Sequence, residues 1–425
     1  MKRHLSLLLA AACAGTVPFG FARAWAATPA PSAAARPAVP TADPLQTIAR
    51  QVFTDLDGDG TRDTVTLFYQ GAGRFSLTGV TTKKVLASVY FSSSVEKASD
   101  LPRAWYGASA IDGVKGSELI VTSTTPDTGG GSTTRQLVYT WRKGKLVAEA
   151  PPASGWGKSW QLSQRDNETR GYRFFDSHHH RYVDATRLIT DGVKPWTGTI
   201  TRSVWRGGKW VKTSKRTAKP VSSLSAWGQV GFAGPRLLLS QLKATIRRDV
   251  ASDLVTFYAN GFQHYLVTVR TAGQRTLTKG FRAVADDGQP FIGAANLDGV
   301  AGRELLFEVA PDDPTWMVLT VRSGKLIAEK APLLYGRTVA STVWPGRSDE
   351  SITNYAFSQS GGAAYAIVGD MAEEEYPSGD VRFAKSVWQD GAWTKVMEWV
   401  EHGLSAEQQA SFHTGFTVPG VIGPY

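Results

Sequence analysis

The sequence predicts an all-β fold, a six-bladed β-propeller built from two tandem three-blade halves. Three observations carry that expectation. The chain repeats itself once over most of its length, each copy divides again into three segments with similar turns, and long helical periodicity is almost absent.

The N-terminus comes first. Lys2, Arg3 and His4 precede an apolar run from Leu5 to Ala12, and Ala24-Trp25-Ala26 gives a small-x-small cleavage signal. Residues 1–26 therefore read as a secretory signal peptide, and the protein as secreted, with cell-wall association as a further option. Ala11-Ala12-Cys13 also resembles a lipoprotein processing site. It lies very early, Ala10 replaces the usual leucine, and apolar sequence continues beyond it, so soluble export is the reading taken. Later in the chain no segment has the apolar length of a membrane span. Cleavage after Ala26 removes Cys13, the one cysteine, and leaves a chain whose stability rests on its core and on any bound ion. It also removes Lys2, Arg3 and Arg23, lowering the formal charge of +10 by three. The basic remainder suits anionic surroundings such as cell-wall polymers, whereas no Lys/Arg block is dense enough to indicate nucleic acid. Residues 27–44 are almost entirely Ala, Pro, Ser and Thr and form an extended linker.

The propeller is expected over residues 45–400, with halves at 48–220 and 238–400 and a C-terminal tail at 401–425. Ala110-Ile111-Asp112-Gly113-Val114-Lys115-Gly116-Ser117-Glu118-Leu119 returns as Asn296-Leu297-Asp298-Gly299-Val300-Ala301-Gly302-Arg303-Glu304-Leu305. The run from Thr140 to Glu149 returns from Thr320 to Glu329, and Ser203-Val204-Trp205 with Gly208 and Trp210 returns as Ser386-Val387-Trp388 with Gly391 and Trp393. Asp63 to Phe68 pairs with Asp253 to Tyr258. Two-residue hairpin signals occur at Gly144, Gly208, Gly324 and Gly391, with looser versions at Lys83-Lys84 and Ala272-Gly273. Polar loops precede these six turns, starting near residues 55, 110, 164, 245, 296 and 346. Four short strands and one polar loop per unit, six times over, give a propeller. A pair of β-sandwich domains would also explain a twofold duplication, but the turns shared within each half favour blades. The exception to the β pattern is a short helix expected near Ser405 to Ser411, with Ser405 and Gln408 as a capping-box pair.

The loop Asp55-Leu56-Asp57-Gly58-Asp59-Gly60-Thr61-Arg62-Asp63 places carboxylates at positions 1, 3, 5 and 9 and glycine at position 6. A hard cation needs six or more oxygens at short range, which alternating aspartates can supply while Gly60 takes the sharp turn. The expected calcium ligands are the side chains of Asp55, Asp57, Asp59 and Asp63 and the backbone carbonyl of Thr61. An EF-hand would have a bidentate glutamate at position 12, where this chain has Thr66, and the sequence that follows is strand-like. Calcium here is structural, a staple for the fold.

This loop resembles the calcium loops of FG-GAP and VCBS repeats, the blades of integrin α-like propellers and of many secreted bacterial proteins. The loops at 110–120 and 296–306 are similar to the degenerate D-G-x-x-G-x-E-L form of those repeats. The resemblance covers residues 48 to about 400 and implies a calcium-stabilised propeller, with little information about activity. The departures are specific. At 245–253, Thr245 and Arg247 replace the first two aspartates, and Arg247 can neutralise Asp249 and Asp253 in place of an ion. Val114 and Val300 occupy position 5 of the other two loops, so Asp112 with Glu118, and Asp298 with Glu304, are weak calcium candidates.

Other residue clusters carry potential chemistry beside a simpler reading. His178-His179-His180 could ligate zinc, but neighbours on a strand point to opposite faces, so an exposed hairpin turn from Asp176 to Arg181 is the simpler reading. Asp370, Glu373, Glu374, Glu375 and Asp380 form an acidic loop that reads as solvated. No G-x-S-x-G elbow, phosphate loop or dinucleotide fingerprint is present. Of fourteen tryptophans, Trp141, Trp205, Trp210, Trp388 and Trp393 flank hairpin turns and read as packing between blades. Trp105, Trp156, Trp160, Trp227 and Trp344 fall nearer loops, where a sugar-stacking platform is an option.

The function expected is an exported, non-catalytic binding module for an extracellular protein or polysaccharide, with no catalytic residues assigned and calcium as the only cofactor. The alternative is a secreted polysaccharide hydrolase or lyase on a propeller scaffold, which would need two carboxylates facing a cleft.

Overall fold

The computed structural model describes residues 47–425 except 95–102, 127–131, 153–158, 165–166, 193–194, 222–230, 235, 248–251, 261–262, 272, 274, 285–289, 311–314, 337–340, 343, 347–350, 373–379, 404–415 and 418–425. The leader and linker at 1–44, the helix expected at 405–411, and Glu373 to Glu375 all lie outside the described residues.

The described residues are all-β, with no α-helix among them. They run as six successive antiparallel meanders of four strands. The first comprises Thr47–Thr54, Asp63–Tyr69, Arg74–Val80 and Leu86–Ser92, and the second Trp105–Ser109, Glu118–Pro126, Ser132–Arg142 and Lys145–Ala148. The third has Glu168–Ser177, His180–Ile189, Trp196–Arg206 and Lys209–Val221. The fourth has Leu237–Ala244, Asp253–Ala259, His264–Arg270 and Thr276–Arg282, and the fifth Phe291–Ala295, Glu304–Ala310, Thr315–Arg322 and Lys325–Ala328. The sixth has Ser351–Ser360, Ala363–Ala372, Val381–Gln389 and Ala392–Glu401.

All six of the hairpin signals in the sequence fall between the third and fourth strands of a meander. Four have both central residues at positive φ: Lys143 and Gly144 (50° and 77°), Gly207 and Gly208 (58° and 76°), Ser323 and Gly324 (49° and 69°), Asp390 and Gly391 (53° and 79°). That is type I′ geometry, whose twist matches the flanking strands. The polar loops near residues 55, 110, 245 and 296 join first to second strands.

Within a meander the strands alternate as period-2 burial requires. Val65, Leu67, Phe75 and Leu77 of the first are at most 1 % exposed. One large hydrophobic cluster runs from Ile111 and Trp160 through Tyr172 and Phe232 to Leu242, Phe257 and Phe307. It draws on both halves of the sequence, which excludes two separate sandwich domains, each with a core of its own. A single ladder pair, Leu238 with Ala108, joins the first strand of the fourth meander to that of the second, giving an eight-stranded sheet.

Two short strands lie outside the expected bounds of the halves. Gly231–Ala233 pairs in parallel with Glu168–Ser177, and Phe416–Thr417 pairs in parallel with Ser351–Ser360. The segment 401–425 is therefore more than a tail, because part of it completes the sixth sheet. The sequence carries a faint trace of this in Gly231-Phe232 and Gly415-Phe416.

Candidate functional site: buried carboxylates and a basic outer strand

The polar loops share one hydrogen bond. The backbone N–H of the second loop residue donates to the carboxylate of the ninth. Leu56 N donates to Asp63 Oδ2 at 2.7 Å, Ile111 N to Glu118 Oε2 at 2.7 Å, Ile246 N to Asp253 Oδ2 at 3.3 Å and Leu297 N to Glu304 Oε2 at 2.8 Å. A carboxylate seven residues away thus fixes each loop, and all four acids are buried.

In the loop at 55–63, carboxylate oxygens of Asp55, Asp57 and Asp63 lie within 4.8 Å of one another, a spacing that calcium ligands can adopt. Asp55 accepts the N–H groups of Gly58 (2.7 Å) and Gly60 (2.9 Å), and Asp63 Oδ1 accepts Thr82 N at 2.8 Å. Asp59 stands apart from that group. It accepts the backbone N–H (2.9 Å) and the hydroxyl of Thr61, and these bonds pull its pKa down to about 2. Lys83 Nζ sits 3.2 Å from Asp59 and 3.6 Å from Asp57. Burial raises the Asp63 carboxyl above its usual range. The structure therefore gathers three of the four expected aspartates and adds a lysine that the sequence did not bring to the loop. Thr61 acts on Asp59 through its N–H and hydroxyl.

The equivalent loop at 245–253 contains the ion pair expected from its sequence. Arg247 Nη2 lies 3.4 Å from Asp253 Oδ1, while Asp249 is outside the described residues.

The two loops read as weak calcium candidates hold the larger acidic clusters. Asp112, Glu118 and Glu149 form one triad and Asp298, Glu304 and Glu329 the other, each with its carboxylate oxygens within 4.8 Å. Every member is at most 8 % exposed. The third acid comes from just beyond the last strand of its meander, and an indole of the next meander holds it. Trp210 Nε1 donates to Glu149 Oε1 at 2.9 Å and Trp393 Nε1 to Glu329 Oε1 at 3.1 Å. The carbonyls of the same glutamates accept the indoles of Trp160 (2.9 Å) and Trp344 (3.0 Å). Burial, reinforced by the neighbouring acids, pushes Glu118 up to about 8 and Glu149 up to about 9. The same causes push Glu304 up to about 8 and Glu329 up to about 7. Raised carboxyls in an open cleft would suit acid/base catalysis. These lie behind the surface, where a polymer cannot reach them.

The tryptophans resolve in the same way. Trp105, Trp160 and Trp344, read from the sequence as options for a sugar platform, are at most 2 % exposed and belong to the core. Trp105 Nε1 donates to the Leu239 carbonyl at 2.9 Å, while Trp160 and Trp344 pack against Tyr172 and Tyr355 of the following meanders. Trp156 and Trp227 are outside the described residues. His178 and His179 occupy a hairpin turn at φ 49° and 62°, and Arg181 pairs with Asp176 at 2.8 Å across it. His402 pairs with Asp380 at 2.8 Å.

Two surface features remain. A crevice of about 210 Å³ lies where the first strands of the two halves approach, lined by Gln51, Phe53, Gln241, Leu242, Lys243 and Leu254. Gln241 brackets Phe53, accepting its N–H at 2.6 Å and donating to its carbonyl at 3.2 Å, and Lys243 Nζ sits 4.9 Å from the Phe53 ring centre. The second feature is the outer strand Lys209–Val221, which exposes Lys209, Lys212, Lys215, Arg216 and Lys219 and contains no acidic residue. Neither a protein-family model nor a curated protein matches this sequence.

Proposed function

We propose that this protein is an exported, calcium-stapled propeller of the FG-GAP type, acting as a binding module for an extracellular polyanionic polysaccharide. The six four-stranded meanders would be its blades, and the loop at 55–63 its intact calcium loop. The observation that carries the ligand class is the strand Lys209–Val221. Five cationic side chains are exposed on one edge strand that contains no acidic residue, and of these Arg216 also reaches Asp184 at 3.9 Å. Lysines on an edge strand also discourage sheet-to-sheet pairing, so the strand suits a soluble protein that meets anionic polymers.

The test is retention of the purified protein on immobilised anionic and neutral polysaccharides across a salt series. Binding to the anionic polymer that weakens with salt, and is lost in Lys212→Glu plus Lys215→Glu plus Lys219→Glu, supports the reading. Equal retention of the wild type and the triple variant overturns it. Release of new reducing ends in the same incubation would favour the hydrolase or lyase alternative.

A further inference from the structure

The two acidic triads occupy corresponding places in the duplicated sequence, and so do Arg142 and Arg322, yet the two guanidiniums pair with different acids. In the second, the Arg322 guanidinium lies 3.2 Å from Glu329 Oε2 and 3.9 Å from Asp298 Oδ2, so one cation faces two of the three acids. In the first, Arg142 pairs with Asp112, and its other terminal nitrogen donates to the Trp141 carbonyl at 3.0 Å. Glu149 is 8 % exposed and its Oε1 is held by Trp210, while its Oε2 accepts no hydrogen bond. A buried carboxylate oxygen without a donor is costly, and here it belongs to a group already crowded by two other acids.

We propose that Asp112, Glu118 and Glu149 form a buried site for one hard divalent cation, calcium, and that Arg322 takes the corresponding place among Asp298, Glu304 and Glu329. The carboxylate oxygens are close enough together to share one ion, since calcium holds its oxygens at about 2.3–2.6 Å. Thr140 Oγ1, 3.2 Å from Glu118 Oε1, offers a neutral oxygen beside them. Arg142, whose side chain is 35 % exposed, links the cluster to the surface through its pair with Asp112. The site differs from the loop at 55–63 in being assembled from two loop acids and a glutamate past the end of the meander. It also does not depend on the chain binding a polysaccharide.

The experiment is calcium stoichiometry by equilibrium dialysis on chelator-stripped protein. Asp57→Ala plus Asp59→Ala removes the loop at 55–63 from the count. That variant should still bind one calcium per chain. Adding Glu149→Gln should abolish the remaining equivalent, and adding Glu329→Gln should leave it in place. A second measurement uses terbium in the loop variant, excited through tryptophan. Trp210→Phe keeps the three carboxylates but removes the adjacent indole, so sensitised emission should fall while one calcium is retained. If the loop variant binds no calcium, the triad proposal is overturned even where the wild type binds one ion at the aspartate loop. It is overturned equally if a folded Glu149→Gln addition retains the ion, or if Glu329→Gln removes it.

Discussion

Gly116 lies so close to Leu56 that a β-carbon added to it would fall 2.5 Å from the Leu56 carbonyl oxygen. Its φ of 108° is in the region that L side chains rarely adopt. The contact stacks the loop of the second meander on that of the first, beside the bond from Ser117 N to the Asp55 carbonyl at 2.7 Å. The fourth and fifth meanders repeat it, with Gly302 placed so that a β-carbon would meet the Ile246 carbonyl oxygen at 2.8 Å. Gly116→Ala should therefore cost about 2–4 kcal/mol in denaturant unfolding, from strain plus a backbone clash. Gly60→Ala, where φ is 85° but the space is open, should cost about 1 kcal/mol. Equal costs would show that the stacked loops are not held at this distance in solution.

The indole bonds to Glu149 and Glu329 link adjacent meanders through single donors. Trp210→Phe and Trp393→Phe keep most of the ring burial and remove the N–H. Each should destabilise by about 1–3 kcal/mol, the range for leaving a buried polar group without its partner. Chemical unfolding monitored by circular dichroism reads this, and a cost near zero for both would assign the indoles to packing alone.

Calcium should raise the melting temperature. An ion at about 100 times its Kd stabilises the folded chain by about 2.7 kcal/mol per site. In Asp57→Ala plus Asp59→Ala the rise should shrink by one site's worth. Lys83→Ala removes the ammonium near Asp57 and Asp59 and should lower the calcium concentration at which the rise is half complete. Identical melting of the wild type in chelator and in calcium would end the calcium reading of this loop.

Acidity should favour the second triad. Glu304 and Glu329 have folded pKa values of about 8 and about 7, against an ordinary 4.5. Both are protonated more readily in the folded chain than in the unfolded one. Their contribution to stability is thus fully present below pH 4.5 and is lost as pH rises through 7 to 8, at up to about 1.4 kcal/mol per pH unit for each proton. Unfolding free energies at pH 6 and pH 8.5 should show this fall, and Glu304→Gln, neutral at every pH, should flatten it. A slope unchanged by Glu304→Gln would mean that the carboxyl is ionised throughout.

The all-β class and its hairpin turns were legible because their signals are local. Asp390-Gly391 and Ser323-Gly324 name their own turns, and Val65, Leu67, Phe75 and Leu77 show their inward faces by alternation. The carboxylate cluster at 55–63 was legible for the same reason, since Asp55, Asp57 and Asp63 lie within nine residues. Glu149 and Glu329 were hidden. Each sits after a four-residue strand and meets its loop acids about 25 to 37 residues away in sequence and its indole 61 or 64 away. One signal could have found them. The duplicated runs from Thr140 and from Thr320 both end in a glutamate, although an exposed turn has no need of that residue. The displacement of Asp59 toward Thr61 and Lys83 had no such signal, because Lys83 reaches the loop from the next hairpin.

The parallel strands Gly231–Ala233 and Phe416–Thr417 have a consequence for the history and handling of the chain. Each half finishes by folding a short strand back in parallel on its own last sheet, while the Leu238–Ala108 pair still joins a sheet of one half to a sheet of the other. The junction at Gly234 separates a segment that ends one body from a segment that begins the next. A break at that junction severs no strand, and what would then hold the two parts together is the shared hydrophobic cluster and the Leu238–Ala108 pair.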